Sequence, residues 1–300
     1  MTSTAAKQSG PGRTGLSQLI RRHPLAAFLI LTYGLSWALW MPLAIFRDAT
    51  SGPFTSIALL IGSNVPSAVA IVLTAVGFGK GATRKLLGRL LIWRVGWRWY
   101  FLLLAPTALV VGTITLVAVT RGGPTAALAV PILSALITVA FMTFPGSAAG
   151  EEIGWRGYAL PRLQSTRTAL TASLVLGPLV GLWHLPLWLR GEPDHQLSVY
   201  PAFLIQAIAL SVIYTWLYNS TKGSLLLAVL FHTATNAPLT LVLLPLGIEN
   251  WILPFWLMAG FTVVAAVVVV AVFGPTNLSR HPRQTQPATP AEATADAVTR

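Results

Sequence analysis

Cysteine is missing from all 300 residues, which excludes disulfides, thiolate zinc sites, iron–sulfur clusters and a cysteine nucleophile. Charge is nearly as scarce: Asp, Glu, Lys and Arg make up 9% of the chain, against about 25% in a soluble domain. Eight acidic residues are too few for a solvated acidic surface or a carboxylate cage around calcium. The formal net charge of +12 would suit nucleic acid if the basic residues lined one soluble face. They stand instead in short clusters between apolar runs, so no nucleic-acid partner is expected and the charge is assigned to lipid headgroups. What the chain has in excess is apolar surface, with 54% hydrophobic residues and a mean hydropathy of +0.69. The expected fold class is all-α: a polytopic transmembrane helical bundle in the cell membrane, with the lipid bilayer as a partner.

Eight apolar stretches, at about 24–46, 54–78, 99–119, 128–150, 169–189, 199–218, 224–244 and 251–273, each approach the ~20 residues needed to cross ~30 Å of hydrocarbon. Flanking them are a Ser/Thr/Gly/Pro-rich segment at 1–23 and a Pro/Thr/Ala-rich segment at 275–300, both expected as disordered tails. The run after Arg21 and Arg22 is too long for a signal-peptide core, so it is read as the first span of a membrane domain at 24–274. With eight spans and both termini cytoplasmic, only Arg47, Arg121 and Arg190 of the 20 Lys and Arg residues fall outside, as the positive-inside rule requires. Residues 80–99, alternating Arg and Lys with Leu, Ile and Trp, are expected as one amphipathic helix in the inner interface. The 11 tryptophans are taken mostly as belt residues at headgroup depth.

Where the polar residues fall is more informative. Asp48, Glu192, Asp194 and Glu249 lie in expected outer loops, and Glu292 and Asp296 in the tail; Glu151 and Glu152 alone abut a span. Among the histidines, His184 and His232 lie within spans. An ionisable group at membrane depth costs several kcal/mol unless it finds a partner or a wet cavity, so these four are functional candidates. Glu152 and Arg156 are four apart and share a helix face, as do His232 and Asn236, whereas Glu151 points about 100° away from Glu152. Counting ~1.5 Å per residue from the inner helix ends puts Glu151 and His232 at about 15 and 14 Å, His184 at about 18 Å and Asn236 at about 20 Å. Pro145 to Gly150 is small and kink-prone, suited to close helix approach or to a water-filled crevice. Simpler roles stay open: Glu152–Arg156 as a topological anchor, each histidine bonded to a backbone carbonyl, and Asn64 bonding a backbone kinked near Pro66.

Three segments carry a resemblance. Glu151-Glu152-Ile153-Gly154-Trp155-Arg156 resembles the EExxxR signature of the CPBP family, the group of Rce1-type CAAX-prenyl endopeptidases and bacteriocin-processing or immunity proteins also called Abi. His184, in Gly181-Leu182-Trp183-His184, resembles its FxxxH motif, with Val180 at the phenylalanine position, and His232-Thr233-Ala234-Thr235-Asn236 resembles HxxxN. Order and spacing fit over about 130–245, and eight spans is also that family's architecture. The resemblance implies an intramembrane endopeptidase acting on a membrane-associated protein or peptide. It makes Glu151 the general base, assisted by His184; His232 and Asn236 support the oxyanion, and Glu152 with Arg156 holds the helix. These residue types suit such chemistry, since a desolvated carboxylate can take a proton and an imidazole and a carboxamide can stabilise a developing oxyanion. The alternatives are a zinc-dependent protease, with Glu151, His184 and His232 as ligands but without an HExxH helix, and a non-catalytic immunity or scaffold protein. A transporter is disfavoured by apolar outer halves and the lack of an internal repeat. Neither the substrate nor the oligomeric state is legible from these residues.

Overall fold

The computed structural model describes residues 15–46, 52–121, 132–191, 196–238, 241 and 252–286. The expected outer-loop acids and residues 1–14 and 287–300 of the tails lie outside that set. Fourteen α-helices and no strand are found among the described residues. They are α1 (Gly15–Arg22), α2 (Pro24–Ile45), α3 (Pro53–Phe78), α4 (Lys80–Gly88), α5 (Trp97–Leu102), α6 (Leu104–Arg121) and α7 (Ile132–Thr143), then α8 (Ser147–Gly154), α9 (Leu160–Thr166), α10 (Ala169–Trp183), α11 (Leu185–Arg190), α12 (Tyr200–Ser220), α13 (Leu225–Pro238) and α14 (Ile252–Phe273). Six helical stretches are long and apolar enough to cross a membrane: Pro24–Ile45, Pro53–Phe78, Trp97–Val117, Ala169–Arg190, Leu197–Ser220 and Ile252–Phe273. Their outward faces are apolar, with Ile30, Leu104 and Val264 more than half exposed, which is stable against lipid and unstable against water. The chain is a multi-pass integral membrane protein.

Of the other two expected spans, one is broken and one is described only in part. The stretch expected at 128–150 is split into α7 and α8, because Pro145 has no N–H to continue the ladder and Gly146 packs its Cα against the Phe141 and Met142 backbone. A π-helical turn, Trp155–Ala159, then joins α8 to α9. Pro161 follows it, and prolines commonly accompany such departures from α geometry. Of the stretch expected at 224–244, α13 covers Leu225–Pro238, and residues 239, 240 and 242–244 lie outside the described residues. Residues 80–99 are not one amphipathic helix: α4 passes through a 3-10 turn at Arg89–Leu91 into a non-helical stretch before α5. Gly96 there has φ +94°, which an L side chain resists, and the Ser224 hydroxyl donates to the Ile92 carbonyl at 2.6 Å.

Small residues set the helix spacing. A Cβ on Gly150 would lie 2.6 Å from Asn64 Oδ1, and one on Gly154 2.6 Å from the Pro66 carbonyl, so α8 rests its glycine edge on α3. Asn64 Nδ2 donates to the Leu60 and Pro145 carbonyls (2.8 and 3.0 Å), and the Ser67 hydroxyl to the Ala149 carbonyl at 2.7 Å. Gly177 brings α10 equally close to α12, at Ile208.

Four tryptophans depart from the expected belt. Trp40, Trp155, Trp183 and Trp188 are buried, and Trp40 and Trp155 pack on Trp183 with ring centroids 4.6 and 5.8 Å apart. Trp93 and Trp97 are exposed, as a belt requires. The ends differ as well. Gly15–Arg22, expected in a disordered tail, is helical, with Ile20 buried against the bundle. Residues 275–286 are strapped across α9, α10 and α12. Thr276 and Pro275 carbonyls accept from Ala169 and Leu170 N–H, and Asn219 Nδ2 donates to the Asn277 carbonyl at 2.8 Å. Gln164 Nε2 donates to the Gln284 carbonyl at 2.9 Å, and Arg162 to Gln286 Oε1 at 3.0 Å. Gln164 and Asn219 also exchange side-chain amide bonds of 3.2 and 2.8 Å. A polar segment whose partners are buried amides is ordered by contacts that its own composition does not announce.

Candidate active site

The glycine edge of α8 aims its carboxylates. Gly150 and Gly154 are four apart and both face α3, so at about 100° per residue Glu151 and Glu152 turn away from α3. Each meets a histidine from a different part of the bundle. Glu152 is fully buried, and its Oε1 accepts from Arg156 Nη1 at 2.9 Å and from His232 Nδ1 at 2.8 Å. Arg156, 4% exposed, lies with its guanidinium carbon 3.9 Å above the centre of the Tyr214 ring on α12. Glu151 is also buried, and its Oε2 is 3.8 Å from His184 Nε2, too long for a direct hydrogen bond.

Both imidazoles are fixed in tautomer by their partners. His184, at the junction of α10 and α11, places Nδ1 2.8 Å from the Val180 carbonyl, which can only accept. Its proton therefore sits on Nδ1 and Nε2 faces Glu151 as an acceptor, in the neutral form. Phe203 and Trp183 pack edgewise on the ring, at 5.3 and 4.6 Å. The Glu152 carboxylate likewise holds a proton on His232 Nδ1, so His232 Nε2 becomes a donor only in the imidazolium form. Asn236 lies one turn beyond His232 on α13 and is half-buried; no hydrogen bond ties its side chain to Glu151 or His184 among the described residues.

The helix-face pairing of Glu152 with Arg156 is thus present, and Glu152 also carries His232. Residues not singled out by sequence complete the surroundings. These are Tyr214 under Arg156, Phe203 against His184, and Thr143 on α7, whose hydroxyl lies 3.0 Å from that of Thr233. Tyr214 left one signal, a tyrosine among the polar residues of the otherwise apolar α12. Asn64 does bond backbone carbonyls, and one of them belongs to Pro145 at the head of α8. A zinc site would need Glu151, His184 and His232 around one ion. Among the described residues no group of three or more His, Asp or Glu side chains is placed to hold a metal. Both Nδ1 atoms are committed to protein acceptors, which leaves each Nε2 as the atom that could meet an ion, and no step is derived through a metal.

Residues 126–238 match the Rce1-like family, described as type II CAAX prenyl endopeptidase Rce1-like. Over 114 residues the chain is 32% identical to CAAX prenyl protease 2 of Methanococcus maripaludis, a stretch that covers 36% of this chain and 39% of that protein. The chain therefore spans about two fifths of the length of the curated relative it matches. Both matches support a CPBP/Rce1-like family protein.

Proposed function

We propose that this chain is an intramembrane endopeptidase that hydrolyses a peptide bond of a membrane-associated protein or peptide, with Glu151 as the general base. The observation that carries the reading is the Glu151–His184 pair: a buried carboxylate oxygen 3.8 Å from a ring nitrogen whose tautomer is set from behind by the Val180 carbonyl. That separation suits one water molecule bonded to both groups. Glu151 takes a proton from the water as its oxygen attacks the scissile carbonyl carbon, and returns it to the leaving nitrogen as the carbon–nitrogen bond breaks. His184 Nε2 accepts the water's other hydrogen and so orients the attack. As the carbonyl oxygen gains charge, His232 in its imidazolium form and Asn236 from the next turn donate to it. Glu152 supports that role by holding His232 Nδ1 and by neutralising Arg156. The name of the Methanococcus maripaludis relative points to carboxy-terminal CAAX segments as the first substrates to try.

The test is cleavage of a peptide library and of prenylated CAAX peptides by the purified chain in nanodiscs, with and without chelator. Glu151→Gln keeps the shape and removes the base; a loss of at least 1,000-fold in turnover, on the order seen for removal of an essential base, is expected with substrate binding retained. Wild-type-like cleavage by Glu151→Gln would end the proposal. Chelator sensitivity with co-purifying metal would replace it by the zinc version, and a folded wild type that cleaves nothing would favour a non-catalytic role.

A further inference from the structure

Away from the carboxylates, a cavity of about 500 Å3 opens where three segments meet: the non-helical stretch before α5, the turn after α12, and the residues following α14. Five basic side chains line it: Arg94, Arg98, Lys222, Arg280 and His281. The described residues contain two carboxylate side chains, Glu151 and Glu152, and both belong to the candidate active site, so these five face no described anion. The walls are built. Ser224 holds the Ile92 carbonyl, Asn219 holds the Asn277 carbonyl, and Trp99 packs on Trp216, which packs on Phe273, with centroids 5.2 and 5.7 Å apart. All three segments lie at the end of the bundle that the charge sorting assigns to the cytoplasm.

Beside the cations runs an apolar skirt. Leu91, Trp93, Trp97 and Phe101 are all more than half exposed, and Arg94 and Arg98 lean over the Trp93 and Trp97 rings at 4.8 and 5.9 Å. Exposed aromatic rings next to cations mark headgroup depth. We propose that this cavity binds the phosphate head of an anionic phospholipid of the adjoining leaflet, with the acyl chains running along the skirt. A soluble phosphate ester shares the chemistry of the head but has no use for the apolar side chains.

The full chain, purified in a neutral detergent, is titrated with dihexanoylphosphatidylglycerol and, separately, with dihexanoylphosphatidylcholine, and thermal unfolding is followed by tryptophan fluorescence. A saturable rise in midpoint is expected with the glycerol lipid and little with the choline lipid. The Arg98→Gln/Arg280→Gln variant removes two exposed cations and should bind about 25-fold more weakly, at roughly fivefold per charge. Arg84→Gln, an exposed cation on α4 outside the cavity, should bind as the wild type does. Equal response to both lipids, undiminished binding by the double variant, or an equal loss in Arg84→Gln would overturn the proposal. So would inorganic phosphate or glycerol 3-phosphate matching the lipid at equal concentration, which would reassign the cavity to a soluble anion.

Discussion

Replacing Glu152 by glutamine should separate the two adjacent carboxylates by what each one holds. Glu152 is fully buried, and one of its oxygens serves both a buried guanidinium and a buried imidazole. Removing one member of a buried ion pair costs about 3–5 kcal/mol, because the other charge stays desolvated without its partner. The amide retains an acceptor oxygen, and the Tyr214 ring still lies under the cation, so the low end applies: about 3 kcal/mol, or roughly a hundredfold in the unfolding constant. Glu151→Gln should change stability by no more than about 1 kcal/mol, since its described partner is a histidine at 3.8 Å and the amide relieves a buried charge. The assay is reversible unfolding in mixed micelles of both variants beside the wild type. The double variant Glu152→Gln/Arg156→Met removes the stranded cation and should recover at least half of the loss. Equal stability of Glu152→Gln and wild type, or equal loss in Glu151→Gln, would refute the assignment of Glu152 as the carboxylate that holds this core together.

Two further outcomes follow from close packing. Gly154→Ala puts a Cβ 2.6 Å from the Pro66 backbone, which cannot swing aside, and should cost about 1–3 kcal/mol in the same assay while lowering turnover through the displaced carboxylates. Deleting residues 275–300 strips buried Gln164 and Asn219 of strap partners and should lower stability in the same assay by about 1–3 kcal/mol for each group left unsatisfied.

The bundle and the polar residues worth watching were legible because hydrocarbon punishes charge: a chain with so few carboxylates displays the costly ones. The i,i+4 rule reached Arg156 from Glu152, but nothing local reveals that the histidine 80 residues away chooses Glu152 over Glu151. That choice depends on the glycine edge of α8, whose contact with α3 sets which way each carboxylate points. The inward tryptophans escape sequence reading for a related reason. Lipid and protein interior are both apolar, so periodicity does not say which face of a span is which, and Trp40, Trp155 and Trp183 went inward. The polar stretch at 275–286 has the composition of a loose tail, and its docking partners, the buried Gln164 and Asn219, Arg162 and the first N–H groups of α10, come from distant parts of the chain.

That strap also has a place in time. Residues 275–286 are synthesised after every helix they fasten, so while α14 is entering the membrane the ends of α9 and α12 still lack Asn277, Arg283 and Gln284. Until then Gln164 and Asn219 have each other and water, and α9, joined through the π-helical turn to the carboxylate-bearing α8, is unclamped. Completion of the strap is thus the step that closes the α9 end of the assembly. A nascent chain stalled before it should be more open to proteases at α9 than one released, however well its spans have already inserted.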